Sequence, residues 1–289
     1  MSKIPSKELS NEILLLKTYL ETKKKLYQNQ NAELEIKFGT RGVKPISKIT
    51  FDNVIKQLLA NNFKFKEESK YYLSIKSEKI RAEIVGIKTI QEYCRTNNLP
   101  TELLSEAYNF TEKSRYISGQ ERSVPHTINF DEFNFRISYS LETSLSPDSE
   151  SVQTMLKTWQ NSKKYYRLIN RYTMIHDEFP VKIDLSVVRE SDSNNGNIKE
   201  SNLFQQNEKY EIEIEVDNDR VDKVLHTFGS TNVNRITNID NSATFLDKIL
   251  KKIAKFIMSG LQGTNDTISY TEQTNIINIK SSNLNGKSG

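Results

Sequence analysis

Cysteine is almost missing from this chain: Cys94 is the one thiol in 289 residues. No internal disulfide framework can form, and such sparing use suits a reducing compartment. Histidine is scarce too, and His126, His176 and His226 with Cys94 are too scattered to build a four-ligand zinc site. No apolar run is long enough for a membrane span, and the first residues do not read as a signal peptide, so an intracellular protein without a membrane partner is expected. Two phosphate chemistries drop out by spacing. A cysteine phosphatase needs an Arg six residues after its nucleophile, where Pro100 stands; a Walker loop needs a Gly five residues before Gly286-Lys287-Ser288, where Ser281 stands. Hydrophobic residues make up only 36 %, so 13 Tyr and 13 Phe must carry much of the apolar burial. The net charge of +4 is small beside a charged fraction of 27 %, which makes the arrangement of charge more informative than its sum. The length fits one large domain or two small ones.

What is present is alternation. Ala32-Glu33-Leu34-Glu35-Ile36-Lys37-Phe38 and Glu211-Ile212-Glu213-Ile214-Glu215-Val216 each alternate strictly. Successive side chains of a strand point to opposite faces, so each segment reads as a strand with one charged and one apolar face. Same-face neighbours on a strand lie roughly 6.6–7 Å apart, so the glutamates repel unless something positive sits between them. A hard divalent cation bound by carboxylate oxygens would do that. A solvated sheet face is the plainer reading of either segment alone.

The rest of the chain fits a helix-backed sheet. Residues 6–25 have the spacing of an amphipathic helix, and a second short helix carries Phe51, Val54, Ile55, Leu58 and Leu59. Strands are expected at Tyr71–Ile75 and Lys79–Val85, the latter with Arg81 and Glu83 on one face, and a short helix at Ile87–Thr96. Further strands are expected at 113–118, Thr127–Phe130 and 133–142, the last alternating Phe133, Phe135, Ile137, Tyr139 and Leu141 with Asn134, Arg136, Ser138, Ser140 and Glu142. Residues 144–151 read as a loop and 152–159 as a brief helix. Tyr165–Ile175 carries Arg167, Ile169, Arg171 and Thr173 on one face, and 181–188 carries Lys182, Asp184 and Ser186. Residues 191–201 read as a mobile loop, 221–228 as a helix closed by Gly229, and a longer helix is capped by Ser242. Residues 1–258 are expected to form one domain and 259–289 a flexible tail or linker toward a following domain. An open sheet would give its charged faces to water, whereas a closed barrel would turn them inward around a hydrated channel able to hold metal and phosphate.

The order Glu33-x-Glu35-x-Lys37, Arg81, Arg136…Glu142, Arg167…Arg171, Lys182-x-Asp184-x-Ser186 and Glu211-x-Glu213-x-Glu215 resembles the tunnel triphosphatase family. It is most similar to the RNA 5′-triphosphatase domain of mRNA-capping enzymes of large DNA viruses. The resemblance implies an α+β protein, a closed eight-stranded antiparallel β-barrel or tunnel flanked by amphipathic helices. It implies removal of the γ-phosphate from RNA 5′ ends, a polynucleotide 5′-phosphatase reaction, with Mn²⁺ or Mg²⁺. Carried onto this chain, Glu33, Glu35 and Glu215 are metal ligands, with Glu213 and Glu211 supporting them or holding water. Lys37, Arg81, Arg136, Arg167, Arg171 and Lys182 are implied to grip phosphate, and Glu142 and Asp184 to orient the cations or the attacking water. The alternative for each cation is structural, Arg167 or Arg171 pairing with Glu142 to satisfy an interior charge.

Three departures from the family pattern stand out. Ile169 occupies a position where a second basic residue is expected; Arg189 has the wrong parity to face the tunnel; Arg115 and Arg122 compete with Arg81. The implied partners are triphosphate-ended RNA, nucleoside triphosphates, and a capping guanylyltransferase and methyltransferase in the same or another chain. The Lys-x-Asp-Gly of a capping guanylyltransferase is missing here, and the unpatterned tail suggests that a longer protein continues. In a virus the expected location is the cytoplasmic factory or the virion. Competing readings are a tunnel hydrolase of inorganic triphosphate or nucleotides, and a non-catalytic polyanion-binding module.

Overall fold

The two glutamate strands lie side by side. In the computed structural model, which describes residues 6–26, 28–39, 44–99, 108–114, 126–193, 196–230 and 239–285, β1 (Gln30–Phe38) pairs antiparallel with β10 (Lys209–Val216), with Glu35 opposite Glu215 and Lys37 opposite Glu213. The other edge of β1 pairs with β7 (Phe135–Leu145), with Glu33 opposite Ser140 and Lys37 opposite Arg136. From β10 the sheet continues through β9 (Val181–Glu190), β8 (Tyr165–Ile175), β3 (Lys70–Ser77), β4 (Ile80–Val85) and β5 (Tyr108–Ser114) to β7, all antiparallel. Because β7 also bonds β1, the eight strands close into a barrel with no open edge. Two short strands lie beside the ring, β2 (Lys64–Phe65) on β8 and β6 (Thr127–Phe130) on β7.

The barrel is apolar outside and charged inside, so its hydrophobic cores lie between sheet and helices. One core joins Ala32, Leu34, Ile36 and Phe38 of β1 and the apolar faces of β7, β9 and β10 to α1 (Ser6–Lys23), α2 (Lys48–Ala60) and α6 (Ile239–Gln262). The second joins Leu73, Ile75, Ala82, Ile84 and Phe110 to α3 (Ile87–Thr96) and α4 (Glu150–Thr158) around Trp159. A helix stripe of Leu246, Ile249, Leu250, Ile253 and Ile257 fits this role, and helix formation there depends on burying it. At Gly260 a Cβ would stand 2.6 Å from the Val54 Cα, so only glycine lets α6 cross α2 this closely. α5 (Asn218–Ser230) follows β10 directly.

Several boundaries differ from those expected. The strand read from Phe133 begins at Phe135, because Asp131–Phe133 forms a 3₁₀ turn and Asn134 takes a left-handed φ of 54°. That strand then runs on to Leu145, through the start of the expected loop. Of the strand read at 113–118, Lys113 and Ser114 belong to β5, which begins already at Tyr108; residues 115–125, including Arg115 and Arg122, lie outside the described residues. The expected mobile loop is anchored on its carboxyl side, with Ile198 and Leu203 buried in the second core and the Ile198 N–H donating to Asn97 Oδ1 at 3.2 Å. α6 starts before Ser242 and runs past Met258. The supposed tail carries α7 (Tyr270–Asn285), opened by a reciprocal cap in which Ser269 N donates to Glu272 and Glu272 N to Ser269 Oγ. Its Thr271 bonds Glu132 through both N and Oγ1, at 3.1 and 3.0 Å. Among the described residues no helix is long and apolar enough to cross a membrane.

Candidate active site

Strand parity turns the charged residues of the organising strands into the barrel, and closure brings them together. Glu33 and Glu35 follow one another on the inner face of β1, and Glu215 sits directly across from Glu35. Lys182 is opposite Glu215, Asp184 opposite Glu213, and Ser186 opposite both Glu211 and Arg171. Arg81 of β4 pairs across to Lys76 on one side and Thr111 on the other. Glu142 faces Lys113.

Some of the cations are already occupied. Lys37 Nζ lies 2.8 Å from Glu35 and 2.9 Å from Glu213. Lys113 Nζ donates to Glu33 and, at 3.1 Å, to Glu35. Arg167 Nη2 grips Glu211 at 2.5 and 2.7 Å and its Nε approaches Glu190 at 3.5 Å. Arg171 approaches Asp184 at 3.5 Å and lies over the Tyr72 ring, while Thr173 donates to Asp184 at 2.6 Å. Arg167 and Arg171 thus take carboxylates on β9 and β10 rather than Glu142, as the structural alternative had it. Glu211, held by Arg167, stands two same-face positions from Glu215 along β10. Arg189 faces outward to Glu208 and the Phe204 carbonyl, as its parity requires. Ile169 does face inward and is buried opposite Val188, leaving Arg167 and Arg171 as the cations of that strand.

Other cations have no hydrogen bond or ion pair among the described residues: Lys76, Arg81, Arg136 and Lys182. The Nε of Arg136 is buried with no acceptor. With Lys37 and Arg167, the first three line a cavity of about 940 Å³ at the end of the barrel where β3 turns into β4. Unpaired cations in a low-dielectric cavity favour an anion far more strongly than they would in water.

Burial and repulsion show up in the carboxylates. Glu33 is pushed up to about 9 by burial and by the hydrogen bond it shares with Glu142, against the pull of Lys113. Glu215 is pushed up to about 7 by burial and by Asp184 and Glu35, against Lys182. Glu35 is buried as well, but Lys37 and Lys113 outweigh that and hold it below the usual carboxylate range. Burial raises Asp184 despite Arg171.

Among the described residues no three Asp, Glu, His or Cys side chains are gathered as a ready metal cluster. The donors nevertheless fit a hard divalent cation in kind. Glu33, Glu35 and Glu215 offer only oxygen, burial and neighbouring carboxylates make Glu33 and Glu215 resist ionisation, and the cation now bridging Glu33 and Glu35 is an ammonium. Sequence reasoning had left out Lys113 and Lys76. The signal for Lys113 was the pattern Tyr108-x-Phe110, which fixes the parity of β5 and turns Asn109, Thr111 and Lys113 inward.

Residues 127–257 match the model of the family described as mRNA capping enzyme, beta chain. Comparison with curated proteins finds no match. Among solved structures, the Mimivirus capping enzyme triphosphatase is 15 % identical, with 86 % of this chain and 98 % of that one aligned at a TM-score of 0.50, and so shares the fold. The Pct1 RNA triphosphatase of S. pombe is 12 % identical over 91 % of this chain and 92 % of its own, with a TM-score of 0.44.

Proposed function

We propose, from the match of residues 127–257 to the family described as mRNA capping enzyme, beta chain, and from the fold shared with the Mimivirus capping enzyme triphosphatase, that this chain is a metal-dependent RNA 5′-triphosphatase. It hydrolyses the β–γ anhydride of a 5′-triphosphate RNA end, releasing phosphate and leaving a diphosphate end. The observation that carries the reading is the placing of Glu33, Glu35 and Glu215 inside a closed barrel with Lys76, Arg81, Arg136 and Lys182, which have no ion pair among the described residues. A pure anion binder gains nothing from inward carboxylates, and a pure structural network would pair its cations.

The division of labour follows from the partners. Glu33, Glu35 and Glu215 would hold Mn²⁺ or Mg²⁺, which when bound supplies positive charge to the oxygens of the transferring phosphoryl group. Arg81, Arg136 and Lys76 reach the triphosphate from the cavity and neutralise its oxygens, the guanidinium groups through two parallel donors. Lys37, fixed between Glu35 and Glu213, presents its charge from a position that needs no reorganisation. Glu213 spends Oε1 on Lys37, so its other oxygen can accept from a water and aim it in line with the leaving β-phosphate. Asp184, held by Thr173 and Arg171, keeps Arg171 pointing inward, and Glu142 stands across from Lys113 as a further carboxylate beside it. No covalent intermediate is required. The diphosphate product is the acceptor that a guanylyltransferase consumes, which implies a capping guanylyltransferase and methyltransferase as partners, in cis or trans, at a cytoplasmic site of transcription.

Phosphate release from triphosphate-ended RNA, ATP and tripolyphosphate, each with Mg²⁺ or Mn²⁺, tests the reading. RNA ends should be the preferred substrate, and Glu33→Ala and Glu215→Ala should abolish turnover. Unchanged turnover in Glu33→Ala would refute metal catalysis here; activity confined to tripolyphosphate or ATP would reassign the substrate.

A further inference from the structure

Lys113 sits where two positive charges compete for the same oxygens. Lys113 is the last inward-facing residue of β5, and there the register sets it across from Glu142. Its stem leans toward β1, where the ammonium donates to Glu33 Oε2 and, at 3.1 Å, to Glu35 Oε1. One ammonium thus bridges two of the three carboxylates assigned to the metal. Lys37 also touches Glu35, but through Oε2, and it has Glu213 as a second anchor. Ser140 adds a hydrogen bond to the Glu33 oxygen that Lys113 uses.

A divalent cation takes carboxylate oxygens at roughly 2.0–2.6 Å. It cannot do so while an ammonium holds them, because the donors would be shared and the like charges would lie in contact. We propose that Lys113 is a built-in counter-ion to the metal carboxylates: it stabilises them without metal and has to be displaced when metal binds. Its four-carbon stem gives it room to move, and Glu142, opposite on β7, is the anchor it turns to. Metal affinity is thereby set below what the carboxylates alone would give. The inference rests on the metal reading above.

Mn²⁺ binding to the full chain, followed by the loss of the free-ion EPR signal and by calorimetry, tests it without reference to turnover. Lys113→Met should bind Mn²⁺ about tenfold tighter or more than the unaltered chain, since ligand release no longer competes. Its melting temperature should be lower without metal and should rise more on adding Mn²⁺. Lys113→Gln, which keeps a polar stem and can still donate to Glu33, provides the same comparison if the methionine variant folds poorly; Lys113→Arg, which keeps the charge, should show no tightening. Equal or weaker Mn²⁺ binding in the neutral variants overturns the proposal. If the unaltered chain binds Mn²⁺ and Glu33→Gln abolishes it while Lys113→Met leaves it unchanged, the counter-ion role fails alone. If neither the unaltered chain nor Lys113→Met binds Mn²⁺, the metal reading fails and takes this inference with it.

Discussion

Arg136→Met should move stability and activity in different directions. Arg136 lies inside the barrel opposite Lys37, its Nε is buried without an acceptor, and no carboxylate pairs with it among the described residues. A cation held beside another cation without a counter-ion contributes nothing favourable to the folded state. Replacing it by an unbranched apolar side chain of similar reach removes that repulsion, so unfolding free energy should stay level or rise by about 1 kcal/mol. That corresponds to roughly 2–4 °C in melting temperature for a chain of this size. Catalysis should respond the opposite way. Loss of one preorganised donor to a charge-bearing transition state costs about 2.7–4 kcal/mol, a fall in kcat of roughly 10² to 10³. Paired thermal melts and initial rates of phosphate release from triphosphate-ended RNA read both quantities, with Arg189→Met as the outward-facing control, whose rate should stay within about twofold. Two results would refute the reasoning: a drop in stability greater than about 1 kcal/mol, which would mean Arg136 has an unrecognised structural partner, or a rate within threefold of the unaltered chain.

Other consequences are as direct. Gly260→Val places a Cβ 2.6 Å from the Val54 backbone, so α6 must shift off α2; a loss of about 2 kcal/mol or more is expected in denaturant unfolding, and an unchanged midpoint would contradict the close crossing. Lys163 is exposed at the cavity rim beside Tyr165, where the nucleotides behind the triphosphate must pass. Lys163→Ala should raise KM for RNA and lower the salt dependence of RNA binding by about one unit of slope while tripolyphosphate hydrolysis is unaffected; equal effects on both substrates would contradict this. His176 is held below its ordinary value by burial against Phe63 and Phe179. The unfolded chain therefore takes up a proton there first as pH falls, so this contribution to stability is complete above about pH 6.5 and declines below it. His176→Phe should flatten that acid limb in pH-dependent melts, and an identical limb in the variant would show that other groups cause it.

How much of this was legible beforehand depends on the range of the physics. Which residues share the charged face of β1, β8, β9 and β10 followed from alternation alone, because a strand turns successive side chains to opposite sides whatever surrounds it. The amphipathic stripes of α2 and α6 were readable for the same local reason, with a period of 3.6 in place of 2. α7 was not, since its residues carry no apolar stripe; its signal was the four-residue cap Ser269-Tyr270-Thr271-Glu272, which a search for hydrophobic periodicity passes over.

Sequence by itself determined which residues share a strand face, and hence that glutamates from both ends of the chain could act as a set. Only the tertiary structure decided that this face is the inside: the second edge of β1 had to find β7, and that pairing joins segments about a hundred residues apart. Register then chose the partners, giving Arg167 to Glu211, Glu35 to Glu215, and the Glu33–Glu35 pair to a lysine on β5. Local sterics write the parity of each strand, but which charges meet is settled by long-range hydrogen bonding and by the cores that hold the barrel shut.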